Sequence, residues 1–460
     1  MTSSPDLPEG AISDPSPNKP AKFVQGSTMG HVVVMTLTGA FGLMAVFFVD
    51  LADMYFLSLL GEAEVAGAIG FAGAVVFINL SIGIGIAITS SALVSRSIGA
   101  ERPEAARGFA ASSLLFSLLF AIVVAVFLWA GTSSILKILG AKGAALQMAE
   151  AYLRIVIPSF PVLCVGLCLS GILRGIGDAK RAMYVTLAGA ITNAILDPLF
   201  IFGLDMGVEG AAAASACARV VMVLVGFYGV HTAHRFLMAP KFGHLRRDLR
   251  AILEIAVPAM LTQLATPVGN AYVTFAIAPF GDSAVSALAV VTRIVPVAFG
   301  VVFSLSGAIG PIIGQNFGAG RPDRVKASFH NALIFATGYV AATSVLLFLL
   351  RGPIAAAFNA STEATILIAF FCTWVGPTWL FAGFQYVANA SFNNLGKAQY
   401  STLFNWAKSL VGMVPLVTLG TWLGAAQGGL AGLGAANVIF GLIAAFAARR
   451  LILGAFDRSD

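Results

Sequence analysis

Asp50, Asp53, Asn193 and Asp197 stand inside stretches of sequence that are otherwise apolar, and their spacing limits the chemistry open to them. Asp50 and Asp53 are three residues apart, so on a helix they lie on neighbouring faces. Asn193 and Asp197 are four apart, which stacks them on one face. Desolvation penalises the charged form of a carboxylate and so favours reversible loading and release of a proton. Asn193 supplies a neutral donor and acceptor beside Asp197, suited to a proton or to a small hard cation such as Na+. Ser215 adds a hydroxyl oxygen. An ionisable group within hydrocarbon is expensive and marks a functional site by default. Two structural alternatives stand beside that reading: Asp197 precedes Pro198 and caps a local break, or Asp50 or Asp53 pairs with Arg219 or with backbone freed by a kink.

Other polar groups in apolar stretches carry less. Arg293 is a possible accessory group to the acids; it and Lys408 either pair with carboxylates or line a cavity, and Lys408 has the further option of snorkelling to the membrane surface. Gln263, Asn270, Gln385 and Asn389 either contact a substrate or bond helix to helix. His31, His231, His234, His244 and His330 fall at helix ends or in loops, and His231 and His234 read as solvated rather than as a metal pair. The four cysteines form no CxxC pair, so neither a zinc site nor a disulfide framework is indicated.

The elements that must position these groups follow from composition. Of 460 residues, 58% are apolar and 10% charged, with a mean hydropathy of +0.90. Soluble domains run near 25% charged, so this is a membrane protein; disorder, a secreted disulfide scaffold and a nucleic-acid binder are excluded. Twelve apolar runs, each long enough for the roughly 20 residues a helix needs to cross the hydrocarbon, span about 31–60, 65–95, 109–131, 146–173, 182–204, 208–232, 251–280, 284–316, 328–350, 363–392, 401–424 and 428–450. Pro158, Pro161, Pro258, Pro267, Pro296, Pro377 and Pro415 predict bent helices. Residues 1–28 read as a disordered tail, 29–232 and 251–450 as two six-helix halves, 233–250 as a basic linker and 451–460 as a second tail. By loop, 20 Lys and Arg collect on one side against 3 on the other, which places both termini in the cytoplasm.

The chain repeats itself. Gly99-Ala100-Glu101-Arg102-Pro103-Glu104 matches Gly318-Ala319-Gly320-Arg321-Pro322-Asp323 at an offset of 219, and the same offset carries Pro158 onto Pro377. Two halves in the same orientation, related by an axis along the membrane normal, suit alternating access around a midplane site. The fold class is therefore all-α and integral to the membrane: twelve transmembrane helices in two pseudo-symmetric six-helix halves around a central cavity.

These features together resemble one family over nearly the whole chain. The Gly-x-x-Arg-Pro-type loops, the run Leu169-Ser170-Gly171-Ile172-Leu173-Arg174-Gly175-Ile176-Gly177-Asp178 and the run Asn193-Ala194-Ile195-Leu196-Asp197-Pro198-Leu199-Phe200-Ile201-Phe202-Gly203 are similar to the MATE (multidrug and toxic compound extrusion) family, in its DinF-like branch. The resemblance implies an inner-membrane antiporter, multi-pass and not an enzyme, that couples H+ or Na+ to the export of amphipathic, often cationic, organic compounds. Through the string Asp53-Met54-Tyr55-Phe56-Leu57 and the Asn193 run, it assigns cation or proton coupling to Asp53, Asn193, Asp197 and, with Ser in place of Thr, Ser215, and a Na+ site to Asp53, Asn193 and Asp197. Some members carry acids in the second half where this chain has Thr266 and Ala382, so coupling is expected in the first half alone. Asp50 has no counterpart in the family. The expected partners are small organic cations and membrane lipid, with no nucleic acid, no cofactor beyond the coupling ion, and a monomeric state. A lipid-linked saccharide flippase of the same superfamily is the alternative, though it needs a strongly basic cavity. A membrane prenyltransferase, suggested by the spacing of Asp50 and Asp53, is a weaker one, since Mg2+ sites for diphosphate need several carboxylates on one accessible side.

Overall fold

The computed structural model describes residues 21–59, 63–239 and 241–456; these form helices joined by short turns, with no strand among them. The tails expected at the two ends fall outside the described residues over 1–20 and 457–460.

The described residues make twelve spans. In the first half these are α1 (Thr28–Ser58), α2 (Ala63–Gly99), α3 (Pro103–Ile138), α4 (Gly143–Val156 and Phe160–Ile176, bent by 52°), α5 (Ala179–Gly203) and α6 (Gly207–Ala233). In the second they are α7 (Phe242–Phe280), α8 (Asp282–Gly318), α9 (Pro322–Ala357), α10 (Thr362–Asn394), α11 (399–423) and α12 (426–454). The last helical stretch is 56 residues long, too much for one crossing of a roughly 30 Å core. It reverses at Gly424 (φ −148°) and Ala425 (φ 50°), so that Gly428 returns against Gly420 and Gly432 against Leu416. The helix starts are written in the sequence. The side chain of Ser27 accepts from Gly30 N at 3.2 Å, Asp178 from Arg181 N at 3.0 Å and Ser361 from Ala364 N at 3.2 Å. The repeated loops fold alike: Glu101 (φ 57°) and Gly320 (φ 64°) occupy the same left-handed position, each followed by a proline in the first turn of α3 or α9. The paired prolines act alike as well. Pro158 breaks α4 and Pro377 breaks α10, each through a short 3-10 turn.

Each half has its own core, but the packing crosses the boundaries read from sequence. Val32 and Met35 at the foot of α1 belong to the core of the second half, and Ile252, Ile255, Ala256 and Met260 at the foot of α7 belong to that of the first. The tail expected over 1–28 also ends earlier than expected. Residues Lys22–Val24 form a 3-10 turn, and Phe23 is only 1% exposed, because the seam between the halves satisfies its polar backbone. Phe23 N donates to Gln315 Oε1 (3.0 Å), its carbonyl accepts from Asn316 Nδ2 (3.1 Å) and Arg324 (2.8 Å), and Lys22 Nζ reaches Gly177 O (2.8 Å). The basic linker expected over 233–250 is helical from Phe242 onward, where Asp248 is buried and accepts from Ser112 Oγ (2.8 Å) and Arg247 Nε (2.9 Å). At the other end of the chain, α12 continues to Gly454 with Ile452 buried, into the span expected as tail.

The halves meet mainly at the end that carries the basic loops. There the last turns of α2 and α8 touch backbone to backbone: Gly99 lies against the Gln315 carbonyl and Gly318 against that of Arg96, while Gln315 Nε2 donates to Gly175 O (2.9 Å). Further along, Ser304 Oγ donates to Thr36 O (2.7 Å) and Phe47 meets Phe303. Toward the opposite end, Gly70 and Gly73 of α2 face open space.

Candidate functional site

The polar side chains that the sequence placed in apolar spans converge within the first half. Asn193 and Asp197 share a face of α5 as their spacing requires, and Asn193 Nδ2 donates to Asp197 Oδ2 at 2.6 Å. Ser215, on α6, donates to Asn193 Oδ1 at 3.3 Å, leaving the Asn193 amide oriented with its nitrogen toward Asp197. Asp53 comes from α1, and its carboxyl group faces that of Asp197 within hydrogen-bonding reach. The network therefore runs Ser215, Asn193, Asp197, Asp53 and ties three helices together.

Burial makes this network consequential. Asp197 is 0% exposed, and one oxygen of Asp197 and one of Asp53 are buried without any donor. Two facing carboxyls, each with one buried oxygen left without a donor, form the arrangement that a proton or a small cation completes, since like charges at this range favour holding a positive charge between them. The donor set of carboxylate, amide and hydroxyl oxygens is hard and suits H+ or Na+. No group of three or more His, Cys, Asp or Glu able to hold a metal occurs among the described residues.

Neither structural alternative accounts for the acids. The Asp197 carboxyl accepts from Asn193 and faces Asp53 rather than capping backbone at Pro198. Arg219 is buried, but its Nη1 donates to Val156 O (2.8 Å) and Ser159 Oγ (2.7 Å), where the prolines open the turn of α4. Asp50 sits nearly one turn from Asp53 on α1, exposed, and accepts no hydrogen bond among the described residues. Arg293 is not brought to the acids: it lies exposed on α8, in the other half.

One participant was not legible. Tyr152 on α4 directs its hydroxyl at Ser215 and lies within electrostatic reach of Asp53, Asp197 and Arg219. Its only signal in the sequence is a phenol six residues before Pro158, and the bend of α4 is what aims it. His234 also differs from expectation. Though partly exposed, it is engaged with a carboxylate: its Nε2 lies 2.8 Å from Asp178 Oδ2, beside Arg181.

The second half lacks the acid pair. The offset of 219 places Tyr272 at the position of Asp53, and there its hydroxyl bonds Thr418 Oγ1 across α7 and α11. Thr266 is exposed and Ala382 buried, and neither can ionise.

Comparison with known proteins agrees with this architecture. A family model described as MatE matches residues 40–199 and again residues 258–418, one copy per half. An FAD transporter from Shewanella oneidensis is 28% identical over 431 residues, covering 92% of this chain and 95% of its own length. The multidrug export protein MepA of Staphylococcus saprophyticus is 25% identical over 293 residues, covering 63% of this chain and 64% of its own. Among solved structures, an outward-facing multidrug resistance MATE transporter superposes with a TM-score of 0.90 at 23% identity, over 96% of this chain and 99% of that one. A MOP superfamily transporter from Pyrococcus furiosus does so with a TM-score of 0.88 at 22% identity, over 95% and 99%. At these identities the structures speak for the fold.

Proposed function

Because the chain belongs to the MatE family of transporters, whose members are not enzymes, we propose that it is an antiporter in which H+ or Na+ entering at Asp53 and Asp197 drives export of small amphipathic organic solutes. The observation that carries this reading is the pair of facing carboxyls, each with a buried oxygen that has no donor, on two helices of the same half. Loading a cation there relieves the repulsion between the carboxyls and stiffens the contact of α1 with α5. A cation that binds one arrangement of the helices better shifts the whole molecule toward it. The basic end is the cytoplasmic one by the distribution of Lys and Arg, so both termini lie inside the cell membrane, and the state described is closed toward the cytoplasm. A monomer holds the complete network, since all of its members come from one half of one chain.

The cargo has two readings. The MepA relatives, multidrug export proteins by name, support drug-like organic cargo, whereas a relative that matches nearly end to end is an FAD transporter. The coupling is tested in inside-out vesicles by following uptake of a fluorescent solute under an imposed pH gradient or an imposed Na+ gradient. Wild type responds to one of the two gradients, and Asp197→Asn inserts normally but abolishes the response. Undiminished gradient-driven uptake by Asp197→Asn would overturn the assignment.

A further inference from the structure

The second half carries no unpaired acidic side chain in the interior of its spans. Its carboxylates Asp248, Asp282, Asp323 and Glu363 stand near helix ends, Glu254, farther along α7, is paired with Arg250 (2.9 Å), and the unpaired charges well inside its spans are Arg293 on α8 and Lys408 on α11. At a rise of about 1.5 Å per residue, each lies on the order of 15 Å from the nearer end of its helix. Neither makes an ion pair or a hydrogen bond among the described residues. Charged groups at such depth face protein or a water-filled cleft rather than lipid, and Arg293 is exposed in the fold.

Lys408 continues a polar ladder between the antiparallel helices α10 and α11. From the basic end, Ser401 Oγ donates to Asn393 Oδ1 (3.0 Å), and one turn on Asn405 Nδ2 donates to Asn389 Oδ1 (3.0 Å). The next turn brings Lys408 on α11 and Gln385 on α10, four residues from Asn389 on the same face. Here the ladder stops. Gln385 is 2% exposed and its amide nitrogen has no acceptor. Beyond Asn405, α11 loosens into a π turn over Ala407–Met413. An ammonium and a buried amide N–H, both without an acceptor among the described residues, thus follow the ladder on the two helices, and leaving such donors unpaired is costly.

We propose that Lys408 and Gln385, with Arg293 as a second positive charge, bind the anionic oxygens of the transported solute, so that the cargo is an organic anion bearing a phosphate or carboxylate. The inference rests on the antiport reading and deepens it. The two halves divide the work: the carboxyl pair of the first takes the coupling cation, and the cationic wall of the second takes the cargo. A cationic cargo meets repulsion at the same wall.

The test uses the purified full-length protein and five fluorescent probes. FAD and FMN carry phosphate, riboflavin has the same ring without it, carboxyfluorescein is an anion without phosphate, and ethidium is a flat cation. Binding is read by fluorescence, and uptake is read in proteoliposomes under a pH or Na+ gradient. FMN is expected to bind at least tenfold tighter than riboflavin. Lys408→Gln should erase that preference without weakening ethidium binding, and Lys408→Arg should retain it. Carboxyfluorescein binding as tightly as FMN marks a general anion site, and weaker binding marks phosphate as the group recognised. Tighter binding of ethidium than of FMN overturns the proposal, as does an FMN preference that survives Lys408→Gln combined with Arg293→Gln. If no gradient moves any probe, the antiport reading fails, while the binding comparison still decides whether the anion site exists.

Discussion

Substitution of Gly99 by alanine tests how the basic end closes. A methyl group at Gly99 would lie 2.6 Å from the carbonyl carbon of Gln315 and 2.7 Å from its Cα, against ordinary contacts of about 3.5–4.0 Å between carbons. What it meets is backbone, which cannot rotate aside, so α2 and α8 must part by about 1 Å at their closest point. Overpacking of this kind costs about 1–3 kcal/mol. Because Gly99→Ala relaxes once the halves separate, that cost falls on the closed state alone and shifts the balance toward an opened basic end by roughly 5- to 150-fold. The assay is the distance between spin labels at Lys180→Cys and Lys326→Cys, exposed positions on either side of the seam, with the exposed Cys217 replaced by serine. A longer distance should become the major population in Gly99→Ala, and more completely in Gly99→Ala with Gly318→Ala, where the second methyl would lie 2.9 Å from Ala100 N. Gly73→Ala, which adds its methyl to open space, should change nothing. A folded Gly99→Ala protein with an unchanged distance distribution would refute the reasoning, since it would mean that the backbone contact does not hold the seam.

Three further outcomes follow from the same geometry. Tyr152→Phe removes only the hydroxyl facing Ser215 and should slow gradient-driven uptake about tenfold, the equivalent of one hydrogen bond, while leaving the melting temperature in detergent within a degree or two. Phe23→Ala strips the buried ring from the seam, where such truncations cost about 3–5 kcal/mol, and should make Ser95→Cys, buried in wild type, reactive to a membrane-impermeant thiol reagent applied from the basic face. Asp178 governs an acid limb: burial alone would raise its carboxyl, but hydrogen bonds from His234 and from the amide and guanidinium of Arg181 outweigh this and hold it well below the usual carboxylate range. A lowered folded-state value gives stability that is complete above the ordinary Asp value of about 3.9 and is lost as pH falls through the folded-state value. The melting-temperature gap between wild type and Asp178→Asn, whose amide oxygen can still accept from Arg181 N as an N-cap, should hold constant down to about pH 4 and shrink below it.

The parts of the molecule that could be read from sequence are those where the membrane makes chemistry conspicuous. Asp53 and Asp197 stood out because hydrocarbon tolerates few carboxylates, and the i, i+4 spacing of Asn193 and Asp197 already implied the bond they make. Twelve spans followed from length, and the two halves from the repeated loops. What escaped depended on tertiary geometry. Tyr152 reaches the site through a bend whose direction no proline position specifies, and the partners of Arg219 are a carbonyl and a hydroxyl exposed by that same break. The segment before α1 has the polar composition of a tail, and it is ordered because Gln315, Asn316 and Arg324, some 300 residues away, satisfy its backbone. The foot of α7 read as a linker because its charges lie at the membrane surface, where a helix needs no apolar run.

The buried ring of Phe23 has a twin. The repeat offset carries it onto Phe242, the first residue of α7, yet Phe242 is 71% exposed. Duplication delivered the same aromatic wedge twice, and only one copy was driven home. The pseudo-twofold axis that relates Gly99 to Gly318 therefore does not extend to the chain at the head of each half. The two halves are interchangeable as scaffolds but not as moving parts: a hybrid built from two copies of the first half would carry both wedges toward one seam, and one built from two copies of the second would carry none.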